Sequence, residues 1–166
     1  MAWLMGLRRV GYFLGLCGVT SLALVVFATG CVTFGEAARI STSGPGWRVL
    51  NGQAVWRPGR RAPELGGDLV VARHENGSYI FDFQKTPLPM TIGHTTSTNW
   101  LIEFPARRYT FAGKGRPPAR FTWLYLGAAL DDKPLPEPLR FERKPDGGWL
   151  LENTRSGETI EGFLSP

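Results

Sequence analysis

The sequence predicts a mainly β domain, and three observations support this prediction. The chain has 166 residues, a length that suits one domain of ordinary size with a short appendage. Hydrophobic residues make up 43% and charged residues 20% of the chain, so it can bury a core and is not a disordered chain. The 21 glycines and 13 prolines lie between short aromatic and β-branched runs, which favours short strands over a helical bundle.

The first 30 residues have the layout of a signal peptide. Arg8 and Arg9 precede an uncharged stretch, residues 10–28, and the segment ends in small residues before Cys31. A basic start, an apolar middle and a small-residue end are the features of export and cleavage. The run Ala-Thr-Gly-Cys at 28–31 resembles the lipobox of bacterial lipoproteins, which implies cleavage after residue 30 and lipid attachment at Cys31. An uncleaved anchor is the alternative, because the apolar stretch would span roughly 28 Å of bilayer at about 1.5 Å per residue.

Behind the signal, residues 31–46 are predicted to be a flexible tether and residues 47–166 a folded domain. The tether is small and polar, with serine, threonine, glycine and proline near its end. Loss of Arg8 and Arg9 with the signal leaves 17 basic and 14 acidic side chains, a net charge of +3. That surplus suits an anionic lipid surface but falls short of the clustered basic face of a nucleic-acid-binding protein. We therefore expect no nucleic-acid partner.

The first half of the domain is predicted to contain a strand followed by a hairpin. Residues 47–56 carry two tryptophans and two valines, and Pro58 and Gly59 end that strand. Residues 69–72 and 79–84 are the predicted arms of the hairpin. An Asn-Gly dipeptide lies between the two arms and tolerates a positive φ at both turn positions.

Two of the predicted strands, at 79–84 and 99–104, have an aromatic face. Side chains alternate along a strand, and large apolar side chains occupy every second position in both. These side chains are Tyr79, Phe81, Phe83, Trp100, Ile102 and Phe104. Between the two strands, Pro87 and Pro89 predict a stiff loop with Leu88 at its tip, because proline cannot donate to a sheet ladder.

The second half of the domain is predicted to contain a strand, one helix and three further strands. Residues 107–111 are the first strand. Residues 120–131 are the best helix candidate, because Phe121, Leu124 and Ala128 recur at spacings of three and four after two prolines. After a proline-rich link, the three short strands are predicted at 139–144, 149–153 and 159–164.

No constellation of residues points to catalysis. His74 lies in the predicted hairpin turn, and His94 lies among threonines with no cysteine or glutamate at metal-ligand spacing. The adjacent Asp131 and Asp132 point apart on any regular element, so we interpret them as solvated residues at a helix end. The chain has two cysteines, which excludes a multi-disulfide scaffold and a four-cysteine zinc site. We expect a protein that is not an enzyme and holds no metal or cofactor.

Residues 47–164 resemble the LolA and LolB family of bacterial lipoprotein carriers. The order of predicted strands is similar, Thr86-Pro87-Leu88 looks like the family's Asn-Pro-Leu loop, and Trp123-Leu124 looks like its Trp-Leu helix. The resemblance implies a curved antiparallel sheet that forms an incomplete barrel, with one short helix, around a hydrophobic cleft. It also implies that the six side chains of the aromatic faces line this cleft and that Leu88 contacts the membrane.

The same resemblance implies transport rather than catalysis. We expect a lipoprotein anchored through Cys31 on the periplasmic face of the outer membrane, and Val32 after the cysteine resembles the default for outer-membrane sorting. The protein would bind acyl chains of lipoproteins or lipids and pass them to the membrane. Its expected partners are acylated cargo, the outer membrane and a periplasmic carrier protein. The alternative is a closed β-sandwich lipoprotein that acts as a structural or assembly partner, with the same aromatic side chains packed solid.

Overall fold

The computed structural model describes residue 42 and residues 44–165. The predicted signal peptide (residues 1–30), Cys31 and most of the predicted tether lie outside the described residues. The described part contains the whole sheet and its hydrophobic core, so a fragment spanning residues 41–166 is a compact folding unit. No helix in this part of the chain is long and apolar enough to cross a membrane.

The fold is one curved sheet of nine antiparallel strands that does not close into a barrel. The strands are β1 (Trp47–Arg57), β2 (Leu65–His74), β3 (Tyr79–Lys85), β4 (Leu88–Thr95), β5 (Asn99–Phe104), β6 (Tyr109–Lys114), β7 (Leu139–Arg143), β8 (Trp149–Asn153) and β9 (Glu158–Ser165). Their spatial order is β6-β5-β4-β3-β2-β1-β9-β8-β7. The sheet therefore consists of two meanders joined where β9 pairs with β1, and β6 and β7 are its edges.

The predicted hairpin is confirmed, but of the two Asn-Gly positions that tolerate a positive φ only Gly77 has one. β2 pairs with β3 along both predicted arms. Gly77 in the turn has a φ of +84°, a conformation that residues with a Cβ rarely adopt. The Asn76 side chain accepts a hydrogen bond from the Ser78 backbone amide at 2.9 Å. The strands predicted around β1, β5, β7, β8 and β9 are also present, and β6 begins two residues later than predicted.

The interpretation of residues 86–90 as a loop is wrong. A two-residue turn precedes Leu88, which begins strand β4. Pro89 lies opposite Gln84, where the pairing of β3 with β4 shifts register, and such an irregularity accommodates a residue that has no amide hydrogen. β4 lies between β3 and β5, so the two strands with aromatic faces are not neighbours.

The helix predicted at 120–131 is much shorter in the structure. Thr122–Tyr125 form a 3-10 turn, and only Leu126–Leu130 form an α-helix, α1. Residues 121–130, which we name the inner segment, are buried except for two half-buried positions. Side-chain contacts with the sheet rather than helical periodicity shape this segment, because it is buried on almost every side.

Four of the strand connections lie at the same end of the sheet. They are the β1–β2, β3–β4, β5–β6 and β8–β9 connections, as the antiparallel registers require. We name this the Leu88 end, after the first residue of β4. The β2–β3, β4–β5 and β7–β8 connections lie at the opposite end.

Candidate functional site

The inner face of the sheet carries the side chains that the sequence assigns to a cleft. Phe81, Phe83, Trp100 and Ile102 are buried in one cluster, and Phe104 is half-buried against it. The sixth, Tyr79, is buried at the opposite end of the sheet. The other strands add Ala54, Trp56, Leu69, Val71, Trp149, Leu151 and Ile160 to the cluster. Alternation along each strand concentrates these apolar side chains on one face.

The inner segment occupies the space in front of these side chains. The ring centroid of Trp123 lies 5.3 Å from that of Phe81 and 5.1 Å from that of Phe83, in stacked arrangements. It lies 5.9 Å from the Trp56 ring in an edge arrangement. Trp123 is 1% exposed. Aromatic pairs in such contact contribute about 0.5–1.5 kcal/mol each beyond the area that they bury. In this conformation, the chain's own side chains cover the inner face.

Two glycines let the inner segment lie close to the sheet. Gly93 on β4 lies beneath the Phe81 ring and the Leu124 side chain, and Gly127 in α1 lies against the Tyr79 ring. A Cβ at either position would overlap these neighbours, so only glycine fits without displacing them. The inner segment is therefore positioned by shape as well as by its hydrophobicity.

A buried carboxylate joins the inner segment to the sheet at the Leu88 end. Glu158, the first residue of β9, is 8% exposed. It accepts hydrogen bonds from Thr122 Oγ1 at 2.5 Å and from Trp56 Nε1 at 2.8 Å. Burial raises the pKa of the Glu158 carboxyl, and the two hydrogen bonds partly oppose that shift. Thr122 belongs to the inner segment and Trp56 to β1, so Glu158 is a polar link between them.

A charged cluster holds the other end of the inner segment. Asp131, directly after α1, forms an ion pair with Arg73 and a second one with Lys133 at 3.4 Å. It also accepts a hydrogen bond from the Tyr79 hydroxyl. The interpretation of Asp131 as a solvated residue is therefore wrong, whereas Asp132 is exposed.

Three buried polar atoms of the inner face have no hydrogen-bond partner within the described residues. They are Nε1 of Trp123, Nε1 of Trp149 and Oγ1 of Thr91 on β4. A buried donor that lacks a partner costs about 1–3 kcal/mol. The covered conformation therefore carries a penalty at Trp123, the residue that fills the centre of the inner face.

The histidines and the surface depressions of the described residues are the other candidates for a functional site. No group of three histidine, cysteine, aspartate or glutamate side chains in residues 44–165 could hold a metal ion. His74 packs edge-on against Trp47 at 4.9 Å, and His94 is half-buried, which lowers its pKa. One surface depression of the described part lies beside Phe163 on β9 and another lies beside His74, and the inner-face aromatic side chains line neither.

Glu158 and the central position of Trp123 were not predicted from the sequence. A single glutamate after a Ser-Gly turn carries no signal of burial, since glutamate is almost never fully buried. The helical periodicity selected Phe121 and Leu124, which left Trp123 on another face. Its only signal was the similarity of Trp123-Leu124 to a family motif.

Comparison with known proteins does not assign the chain to a family. No family model matches it, and no curated protein matches it. The inner face is therefore described by its chemistry: it consists of aromatic and aliphatic side chains with one buried carboxylate, Glu158.

Proposed function

We propose that this protein is an outer-membrane lipoprotein of LolA and LolB type, which binds acyl chains on its inner face and passes them to the membrane. In this proposal the inner segment is a cover that the acyl chains displace. The observation that carries the proposal is that the inner segment is attached to the sheet through side chains rather than through strand pairing. Side-chain contacts hold it on the sheet, among them the hydrogen bond that Arg143 on β7 donates to the Leu130 carbonyl at 2.8 Å. No backbone-to-backbone hydrogen bond within the described residues joins residues 122–130 to a strand.

The connections on both sides of the inner segment support its displacement. Pro117 and Pro118 precede it, and a link with three prolines, at 134, 136 and 138, follows it. These connections run between β6 and β7, the two edges of the open sheet. The segment can therefore leave the inner face without breaking any pairing between strands.

Whether a ligand displaces the inner segment depends on how many acyl chains the ligand buries on the inner face. The large buried side chains of the inner segment are Phe121, Trp123, Leu124, Tyr125 and Leu126. At about 1.5–3 kcal/mol for each such side chain, their burial contributes on the order of 7–15 kcal/mol. One acyl chain of roughly fifteen carbons supplies about 10 kcal/mol before ordering costs. The burial of one acyl chain therefore roughly equals the burial of the inner segment in free energy, so ligands with two or three acyl chains are favoured.

Binding of fluorescent lipids to the 41–166 fragment tests this proposal. We expect a two-chain phospholipid probe to bind more tightly than a one-chain fatty-acid probe. Trp123→Ala should tighten binding of both probes more than tenfold, because a loss of about 3–5 kcal/mol of packing makes the inner segment easier to displace. Trp149→Ala is the matched control: it is equally buried on the inner face but belongs to the sheet, so it should not tighten binding.

A second candidate function is the packed lipoprotein that serves as a structural or assembly partner in the envelope. The stacking of Trp123 on Phe81 and Phe83 favours it, because a filled interior has no room for a guest. The same titration separates the two candidates. If neither probe binds the wild-type fragment or Trp123→Ala at saturating lipid, the carrier proposal is wrong and the packed lipoprotein is supported.

The proposed anchor is tested by metabolic labelling of the full chain with radioactive palmitate in a Gram-negative host. The wild type should incorporate label, and Cys31→Ser should not, because the thiol is the site of acylation. Cys17→Ser is the control and should stay labelled, since Cys17 lies inside the predicted signal. Equal labelling of the Cys31→Ser variant and the wild type, or an unlabelled wild type, would count against lipid attachment at Cys31.

A further inference from the structure

The strand connections at the Leu88 end are strongly basic. They contain five exposed arginines and one glutamate, namely Arg60, Arg61, Arg107, Arg108, Arg155 and Glu64. The connections at the opposite end contain one lysine, Lys144, and two acids, Glu75 and Asp146. Among the connections between paired strands, the positive charge is therefore concentrated at the Leu88 end, whereas the strand ends and the β6–β7 segment at the opposite end carry Arg48, Lys114 and Arg116.

One contact joins two of these connections, and other contacts tie them to the neighbouring strands. Arg60 in the β1–β2 connection donates a hydrogen bond to the Thr154 carbonyl in the β8–β9 connection at 3.2 Å. Thr86 in the β3–β4 turn donates to the Asp68 carboxylate on β2 at 2.8 Å. The Pro105–Arg107 turn of the β5–β6 connection contacts β4. The arginines thus lie together at the Leu88 end of the curved sheet.

The same end exposes two large apolar side chains. Leu88 is 62% exposed and Tyr109 is 58% exposed, and they begin β4 and β6. Exposed Lys85 lies directly opposite Leu88 in the β3–β4 pairing. An exposed leucine and tyrosine among cations match the layers of a membrane interface, where aromatic and aliphatic groups enter below the headgroups and cations pair with phosphates.

We propose that the Leu88 end docks the domain on a bilayer that contains anionic phospholipids. The arginines and Lys85 contact the phosphate groups, while Leu88 and Tyr109 enter the interface. A nucleic acid would satisfy the same charges but would leave the exposed leucine without an apolar contact. The inference rests on the proposed function in placing the protein at a membrane, and it adds the lipid class and the surface that meets it.

Vesicle flotation with the 41–166 fragment tests the docking. We expect the fragment to float with vesicles made of equal parts phosphatidylcholine and phosphatidylglycerol, and not with vesicles of phosphatidylcholine alone. Binding should weaken as salt is raised, because the screening length falls from about 8 Å at physiological ionic strength to about 3 Å at 1 M.

Two matched triple variants locate the surface. Arg61→Gln, Lys85→Gln and Arg107→Gln combined should weaken binding to anionic vesicles about a hundredfold, since each cation at such a surface contributes about fivefold. The control removes the same charge at the opposite end, with Arg48→Gln, Lys114→Gln and Arg116→Gln, and should bind like the wild type. All six side chains are exposed, so both variants should fold. Leu88→Glu should fold as well and also lose binding.

Three outcomes would overturn the docking proposal: equal binding to both kinds of vesicle, equal losses in the two triple variants, or tighter binding to a short DNA duplex than to anionic vesicles. The fluorescent fatty-acid titration without vesicles separates this failure from that of the carrier proposal. The Leu88-end triple variant should keep wild-type probe binding. A fragment that docks on anionic vesicles but binds no probe would refute acyl binding and leave the docking surface supported.

Discussion

Trp123→Ala is expected to lower the free energy of unfolding of the 41–166 fragment by about 3–5 kcal/mol. The substitution removes the side chain that fills the centre of the inner face and ends its ring contacts with Trp56, Phe81 and Phe83. The rings on β1 and β3 are fixed by the sheet and cannot close the space. Urea unfolding followed by circular dichroism measures the change.

Trp47→Ala is the matched control for that measurement. Trp47 is half-buried at the start of β1, and its ring contacts His74 at the edge of the domain. Its truncation should lower the free energy of unfolding by less than half as much as Trp123→Ala. Equal losses for the two variants would show that Trp123 does not hold the inner segment in place.

Glu158→Gln is expected to stabilise the fragment at neutral pH and to flatten its dependence on pH. Burial raises the pKa of the Glu158 carboxyl, so the native state binds this proton more tightly than the unfolded chain does. The contribution of Glu158 to stability is therefore fully present below the ordinary pKa of glutamate and is lost as the pH rises through the raised value. Glutamine avoids the buried charge, while its carbonyl accepts from Trp56 and its amide donates to Thr122.

Glu158→Ala should act in the opposite direction at neutral pH. It leaves the Trp56 indole N–H and the Thr122 hydroxyl buried without their acceptor, at a cost of about 1–3 kcal/mol for each. Glu142→Gln on β7 is the control for the loss of a carboxylate, because Glu142 is exposed. Thermal unfolding between pH 4 and pH 8 compares the variants. If Glu158→Gln keeps the pH profile of the wild type, the titration of Glu158 is not what shapes that profile.

Much of the secondary structure could be predicted because its causes are local. The Asn-Gly dipeptide at 76–77 needs only a short turn in which the glycine has a positive φ, and Gly77 has that conformation. The alternation in β3 and β5 likewise placed their apolar side chains on one face before any partner strand was known. β4 was missed because Pro89 argues against a strand, and only a register shift opposite Gln84 makes room for it.

Only part of the candidate site could be predicted, because only part of it has local causes. Which side chains of β3 and β5 point inward follows from a period of two along each strand. What they meet depends on contacts between distant parts of the chain, such as Trp123 with Phe83. Glu158 and Thr122 are likewise 36 positions apart, and their hydrogen bond has no signature in either neighbourhood.

The sequence by itself determined that the chain forms short strands with one apolar face, because alternation and turn chemistry act between near neighbours. Only the tertiary structure decided that the inner segment covers this face, that Glu158 is buried beside it and that the arginines lie together at the Leu88 end of the sheet. Those arrangements follow from strand order, register and close packing, which bring together residues that are far apart in the chain.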